Sequence, residues 1–538
     1  MKIETENAPR PWLLGIAGMY VVLAAAVFFF AFYNLGGRML WGDEAETATL
    51  ARNVLKFGVP KVDDGLNHIS LHGDKFDARD GVWTWSPWLQ EYVTAASFGV
   101  FGTNTWAARA PFALIGWLAV MLLGAVAWKI YRSHRIALAS MLLLGTSEVF
   151  LLHLRQCRYY SITVLAEILL AYGIFQVLQK NKSSAWLIAS ALILQFYCNY
   201  AIAAANVPLL LVLGAMLFRQ GKRSAWPIVI SLGACALACA PWLFYTEIWR
   251  ERAAEGDIPW ADKIAFYASQ FHFYFFPWCI ILLPVWGWLS GRLRMDTLSQ
   301  QERAGVRENY SDNNPALRFE HYLLLLPVLY LPVLLVMPGE YLRYLLPVLP
   351  VICLLVAAWL FRYIRWTVVA VAILMAQCLS NVFTVATNPF GHYPLRSPIA
   401  EFVSGVGQPY DDRFTDVLKF LKTQARPGDV ILSWDPELPL VFYGPYQVID
   451  ARLPARSAGA LPDWILPKSI SSVFDTPPVP MPEDLPHYER VLITVHDSSR
   501  LADIPEPDLY EYKSTDAKEQ FILYRLKKTS GSPPPAKP

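Results

Sequence analysis

The sequence predicts a polytopic α-helical membrane protein of about 11 transmembrane helices, followed by a C-terminal extracytoplasmic α/β domain. Three observations carry this. Of 538 residues, 55% are hydrophobic and only 17% charged, against about 25% charged in soluble domains. The apolar residues are gathered into long runs, and 12–33, the first of them, holds no charge at all. Beyond residue 388 the composition changes, with Pro, Asp and Arg common and short strand-like runs replacing the apolar ones.

The run 12–33 exceeds a signal-peptide core and no small-residue cleavage pattern follows, so it reads as a retained first span. Further spans are predicted at 110–130, 136–154, 159–178, 185–199, 202–218, 225–246, 272–290, 321–337, 344–361 and 366–387. Each is near the roughly 20 residues that cross a bilayer. The stretch 185–218 is uncharged, and as one helix it would far outrun the roughly 30 Å hydrocarbon core. Asn199 and the Asn206–Pro208 region favour two passes. Alternate loops at 131–135, 179–184, 218–223, 291–318 and 361–365 carry Lys and Arg. By the positive-inside rule these face the cytoplasm. The N-terminus is then cytoplasmic, and the loop 34–109 and the C-terminal domain lie outside. The stretch 88–101 contains Glu91 and is too short to cross, so it reads as a helix at the outer interface.

In the C-terminal region, 414–425 reads as an amphipathic helix ended by Arg426-Pro427-Gly428. Strand-like runs follow at 430–434, 440–443, 446–450, 490–495 and 521–526. The organisation is a membrane module over 1–387, an α/β domain over 388–527 and a low-complexity tail over 528–538. A net charge of +2 excludes a generally basic nucleic-acid binder. The seven cysteines (Cys157, Cys198, Cys235, Cys239, Cys279, Cys353, Cys378) all lie in or beside apolar runs. This argues against a disulfide framework or a zinc site. Cys235 and Cys239 share a helix face and read as small-residue packing.

The chemistry-bearing segment is WGDEAETATLARNVLKFG, 41–58, directly after the first span. It reads as a helix from Ala45 onward, with Asp43 and Glu44 at its start. Asp43 is either a helix cap or a reacting carboxylate at the membrane surface. Arginines gather at the predicted outer ends of spans: Arg109, Arg155, Arg158 and Arg343. Singly, each reads as snorkelling to headgroups; together, they suit a lipid phosphate. His68, His72, Asp74, Asp77 and Asp80 crowd the outer loop. They are a conceivable divalent-metal set, though a solvated loop is favoured and no cofactor is expected. Glu148 and Glu167 fall within spans. Glu148 reads as paired with Arg155 or His153, while Glu167 has no obvious partner and is the best hint of a transport pathway.

These motifs resemble the GT-C glycosyltransferases, in particular the branch holding protein O-mannosyltransferases and the lipid A aminoarabinose transferase (glycosyltransferase family 39-like). WGDEA resembles its Asp-Glu signature. The run 86–116 resembles its Pro-Leu-aromatic and Ala-Ala-Arg elements, 154–165 its Arg-rich outer turn, 341–350 its Arg-Tyr span start, and 414–436 the opening of its outer domain. The resemblance implies a GT-C fold and transfer of a sugar from a polyprenyl-phosphate carrier to an envelope glycan, lipid or protein acceptor. The site would be the outer face of a bacterial inner membrane. Asp43 would be general base, Glu44 its orienting neighbour, and Arg158 and Arg343 donor-phosphate ligands, with Arg109 and Arg155 beside them. Tyr159, Tyr344, Trp85 and His272 are candidate substrate-lining residues. The chain departs from the pattern at Trp85-Ser86-Pro87, where relatives often have Lys-Pro-Pro. Lys75, Arg79 or Arg109 is the candidate substitute. A transporter or lipid flippase and a membrane scaffold are the competing readings; the first calls for paired midplane charges and repeated halves, which the sequence lacks.

Overall fold

A computed structural model describes residues 11–69, 78–181, 183–247, 259–283, 285, 315–336, 340–364, 366–388, 391, 393–408, 413–433, 437–450, 461–467, 485–496 and 518–527. The chain forms two compact units. The first comprises 1–35, 86–90 and 109–407; the second comprises 36–85, 91–108 and 408–538.

The first unit is helical among the described residues, and seven of its helices there are long and apolar enough to cross a membrane. They are Leu14–Phe32, Thr105–Tyr131, Tyr160–Leu178, Tyr200–Arg219, Ala225–Thr246, Phe319–Val336 and Leu342–Tyr363. The span expected at 136–154 is a pair, His134–Gly145 and Glu148–Leu154, bent by 65°. The bend falls where Ser147 restarts the helix, its Oγ accepting from the Phe150 amide at 3.5 Å. The spans expected at 185–199 and 366–387 are shorter apolar helices, Ser184–Cys198 and Thr367–Leu379. Asn199 does break the run 185–218: its backbone is extended, and its Oδ1 accepts from the Ala201 amide at 3.0 Å. At 272–290 a π-turn, Phe271–Phe275, and the short helix Trp278–Ile281 replace a continuous span, and most of the remainder lies outside the described residues. Against the expected eleven, the described residues contain seven full-length apolar helices, or eight with the bent pair. Leu342–Tyr363 buries 89% of its apolar window and Leu14–Phe32 only 11%. The former is the centre of the bundle, and the latter leaves its apolar surface for lipid.

Two intramembrane carboxylates find partners distant in sequence. Glu167 accepts from the Gln195 amide at 2.7 Å and the Asn206 amide at 2.8 Å. All three side chains are buried. Fixed amide donors from two neighbouring helices satisfy this carboxylate, so the feature that suggested a transport pathway is accounted for by packing. Glu148 pairs with Arg396, a residue far along the chain. Its oxygens accept from Arg396 at 2.9 and 3.4 Å, and the Arg396 guanidinium also donates to Glu401 at 2.8 Å. Burial opposes the charge on Arg396, but Glu148 and Glu401 outweigh it and hold the guanidinium above its ordinary range. His153 lies on the Val149 carbonyl, one turn back.

The second unit contains a mixed five-stranded sheet. A small hairpin of β1 (Ala78–Arg79) and β2 (Val82–Trp83) precedes it in the chain. The sheet strands are β3 (Val430–Ser433), β4 (Gln447–Asp450), β5 (Trp464–Leu466), β6 (Tyr488–His496) and β7 (Lys518–Leu526), in the order β4-β3-β5-β7-β6. β3 runs parallel to β4 and β5, while β7 is antiparallel to β5 and β6. The helix expected at 414–425 is Arg413–Gln424, and four of the five strand-like runs are strands. The fifth, 440–443, belongs to the helix Glu437–Tyr443. Alternation could not expose this, because a buried four-residue apolar run suits helix and strand equally. The short strand β5 went unpredicted, and the tail 528–538 lies outside the described residues.

Candidate functional site

The helix carrying the acidic pair spans Gly42–Phe57, starting three residues before the Ala45 expected. Its N-cap, Trp41, makes no side-chain capping bond. Asp43 is thus not the cap; it sits in the first turn, partly exposed, where the helix N-terminus favours an anion. Glu44 is fully buried. The two neighbours differ in access to solvent, as their roughly 100° separation on a helix requires. The helix ends at Gly58, whose φ of 78° gives the left-handed turn that glycine accepts at no steric cost.

This helix lies against the C-terminal domain within the second unit. Arg52 reaches across to donate to the carbonyls of Val441 and Phe442 at 3.1 and 3.2 Å. These are orphan carbonyls at the end of Glu437–Tyr443. Burial pulls the Arg52 guanidinium below its ordinary range, and Asp64 opposes that. Asn67 adds a second tie: its amide donates to the Tyr446 carbonyl at 3.0 Å and its Oδ1 accepts from the Val448 amide at 2.6 Å. The outer loop and the domain after residue 408 thus form one body, where the sequence assigned the loop to the membrane module. Replacing Arg52 with Met is expected to weaken this attachment by about 1.5–3 kcal/mol, the range for bonds to a charged donor. Hydrogen exchange over 42–57 should quicken correspondingly; unchanged protection would remove Arg52 from this role.

The basic residues belong to the first unit. Arg158 is buried in the turn between Glu148–Leu154 and Tyr160–Leu178, its guanidinium 5.8 Å from the Tyr159 ring centre. Tyr159 is anchored by Gln90, which accepts from its amide at 3.1 Å, and by Asn199, which donates to its hydroxyl at 3.1 Å. Arg343 lies in the 3-10 turn Leu342–Val348, 4.2 Å from the Tyr341 ring centre. That turn packs on Tyr160–Leu178, and Tyr344 lies within electrostatic range of both Tyr159 and Arg343. The Arg158–Tyr159 and Arg343–Tyr344 turns are thereby neighbours. Tyr330 joins them, donating to the Tyr344 carbonyl at 3.1 Å. Tyr267 joins as well, its buried hydroxyl pushed up to about 12 by desolvation, with Arg343 pulling the other way. Tyr267 is thus a neutral phenol within electrostatic range of the Arg343 cation, and Tyr330 is a buried phenol bonded to the same turn. Neither was singled out from the sequence, because an isolated tyrosine in an aromatic-rich chain carries no local signal.

Arg109 and Arg155 hold backbone. Arg109 donates to the Leu35 carbonyl at 3.1 Å. Arg155 donates to the carbonyls of Phe30, Ala31 and Asn34 at 2.8, 3.2 and 3.3 Å, closing the end of the first helix. His272 is buried, with Nε2 3.2 Å from the Thr384 carbonyl and Nδ1 accepting from the Trp278 amide at 3.3 Å. Trp85 and Arg79 lie in the second unit, Trp85 partly buried and Arg79 3.9 Å from Asp80. Lys75, His72, Asp74 and Asp77 fall outside the described residues. Among the described residues no group of three or more His, Cys, Asp or Glu has metal-site geometry.

Comparisons with known proteins bear on this arrangement. The sequence profile of the dolichyl-phosphate-mannose-protein mannosyltransferases matches residues 86–245, the segment that includes Arg109, Arg155, Arg158 and Tyr159. Comparison with curated proteins gives no match. Among solved structures, ArnT from Cupriavidus metallidurans in its apo state is similar with a TM-score of 0.52 and 14% identity, over 81% of this chain and 86% of that one. The same protein bound to undecaprenyl phosphate gives a TM-score of 0.45 and 16% identity, over 72% and 69%. The archaeal oligosaccharyltransferase AglB from Archaeoglobus fulgidus, in complex with an inhibitory peptide and a dolichol-phosphate, gives 0.48 and 10%, over 81% and 64%. The fold is that of the GT-C glycosyltransferases, carried by a multi-pass membrane protein. The profile match and the fold together support a membrane glycosyltransferase.

Proposed function

We propose that this protein moves a sugar from a polyprenyl-phosphate carrier to an acceptor hydroxyl at the outer face of a bacterial inner membrane, with inversion. The observation that carries the proposal is the pairing of the Arg158–Tyr159 and Arg343–Tyr344 turns in a GT-C fold. ArnT, which shares the fold, is known bound to undecaprenyl phosphate. The acceptor is an envelope glycan, a lipid or a protein, and the N-terminus is cytoplasmic.

The chemistry needs three things. A sugar hydroxyl is a weak nucleophile, so a carboxylate must take its proton as the bond forms; Asp43 has that role, with Glu44 as its buried neighbour. The anomeric carbon gains oxocarbenium character, as in glycoside hydrolysis. The leaving oxygen belongs to a phosphate, whose growing charge is stabilised by guanidiniums fixed in a water-poor setting. Arg158 and Arg343 fill this role, and the neutral hydroxyls of Tyr267 and Tyr344 are further donors. Arg109 and Arg155, engaged with backbone carbonyls, are assigned to shaping the site.

The test uses purified full-length protein, a radiolabelled polyprenyl-phosphate sugar and an envelope extract as acceptor. Wild type is expected to transfer label. Arg158→Gln and Arg343→Gln are each expected to lower kcat/KM for the donor by about 10²-fold or more, the usual loss on removing one charge-stabilising donor. Transfer at the wild-type rate by both variants would reject the phosphate assignment.

A further inference from the structure

A second basic site lies at the far end of the same helices. Arg158 precedes the helix Tyr160–Leu178 at its start, while Tyr172, Phe175, Gln176 and Gln179 lie at its close. The two ends are roughly 20–30 Å apart at 1.5 Å per residue. There a cavity of about 520 Å³ opens between this helix end and the end of Thr105–Tyr131, lined also by Trp128, Lys129, Ile130 and Arg132. We propose that it binds the phosphodiester headgroup of an anionic glycerophospholipid from the leaflet opposite the candidate catalytic loop.

The lining has two cations and no carboxylate. Among the described residues, Lys129 and Arg132 make no ion pair. Lys129 rests over the Tyr172 ring at 5.3 Å and Arg132 over the Trp128 ring at 4.9 Å. Arg132 is held there by a left-handed backbone, φ 52°, a strained conformation for an arginine. The acidic group next to this end is Glu320, near Tyr131, and it is fully engaged: Arg362 donates to both of its oxygens, at 2.5 and 2.6 Å. Among the described residues, no carboxylate of the lining compensates the positive field of the cavity. Gln176 donates to the Tyr172 hydroxyl at 3.0 Å, fixing the aromatic wall. Ile130 and buried Phe175 supply an apolar floor. A phosphate between Lys129 and Arg132, with glycerol and acyl chain toward the apolar side, satisfies all of these surfaces. The location agrees with the charge pattern of the sequence, since 131–135 is one of the loops the positive-inside rule puts in the cytoplasm. Anionic lipid is attracted to basic pockets between membrane helices at that face.

Full-length protein in neutral detergent would be titrated with phosphatidylglycerol, phosphatidylcholine or inorganic phosphate and read by native mass spectrometry and thermal unfolding. Phosphatidylglycerol is expected to be retained and to raise Tm. The double variant Lys129→Gln/Arg132→Gln is expected to lose at least tenfold in its retention and most of the Tm gain. Arg219→Gln, an exposed cation at another helix end outside the cavity, should bind as wild type does and so separates loss of the site from general loss of charge. Equal retention of phosphatidylcholine, or undiminished phosphatidylglycerol binding by the double variant, would show that these cations only snorkel and would overturn the proposal. Inorganic phosphate binding as tightly as phosphatidylglycerol would overturn the lipid assignment in favour of a free anion.

Discussion

Asp43→Asn is expected to lower sugar transfer by about 10²–10⁴-fold, the span associated with a positioned general base, while the protein stays folded. The size of the effect separates two roles. Asp43 stands in the first turn of Gly42–Phe57, so even as a purely structural residue it interacts favourably with the helix N-terminus. That interaction contributes only about 0.3–1 kcal/mol at an exposed site, which corresponds to less than a tenfold change. Asn keeps the shape and much of the hydrogen-bonding capacity, so the helix should persist. Initial rates with a radiolabelled polyprenyl-phosphate sugar, measured beside thermal unfolding, give both quantities. A variant with unaltered Tm and a rate within fivefold of wild type would remove Asp43 from the chemistry. Glu44→Gln should behave differently, with at most a modest loss of rate, because this side chain is buried and not facing solvent.

Arg396→Leu is expected to destabilise the protein by about 3–5 kcal/mol, whereas Glu148→Leu/Arg396→Leu should lie within a few kcal/mol of wild type. The single change leaves the Glu148 carboxylate buried without its cation; both members of the pair are only 5% exposed. The double change replaces two desolvated charges with apolar groups in a largely apolar setting. Glu401 also loses a partner in each case, but it is 29% exposed and water replaces the bond. Urea or thermal unfolding in detergent would measure the series. A double variant as unstable as the single one would mean that Arg396 acts through contacts other than Glu148. The pair joins the segment after the last apolar helices to Glu148–Leu154, whose next turn carries Arg158. The single variant is therefore also expected to raise KM for the lipid-phosphate donor.

The apolar helices were legible because hydropathy requires no knowledge of neighbours: a bilayer accepts only segments whose backbone is internally satisfied. The break at Asn199 was legible for a related reason, since a continuous helix there would be too long for the membrane. The bend at Ser147 was not, because Gly145-Thr146-Ser147 looks locally like any small-residue stretch in a span. The arginines illustrate the limit most clearly. By residue type and position Arg109, Arg155, Arg158 and Arg343 were four alike cations at predicted outer span ends, and only the resemblance set Arg158 and Arg343 apart. In the fold, Arg155 closes the first helix by donating to three carbonyls more than a hundred residues away in the chain. Arg109 holds Leu35, while Arg158 and Arg343 sit beside a group of tyrosines.

By itself, the sequence determined the membrane character, most helix positions, the presence of a mixed α/β domain and the place of Asp43 and Glu44 just after the first span. Each of these follows from local composition, periodicity or motif. Tertiary structure alone decided that Glu167 is satisfied by Gln195 and Asn206, that Glu148 belongs to Arg396, that 440–443 is helical, and that the acidic loop is tied to the C-terminal domain through Arg52 and Asn67. For 440–443 the reason is that a short apolar run suits either state; for the polar contacts one physical reason is shared. A buried polar group must find a partner, but that partner is chosen by how helices and loops come together, and an amide or guanidinium tens to hundreds of residues away leaves no mark on the local pattern.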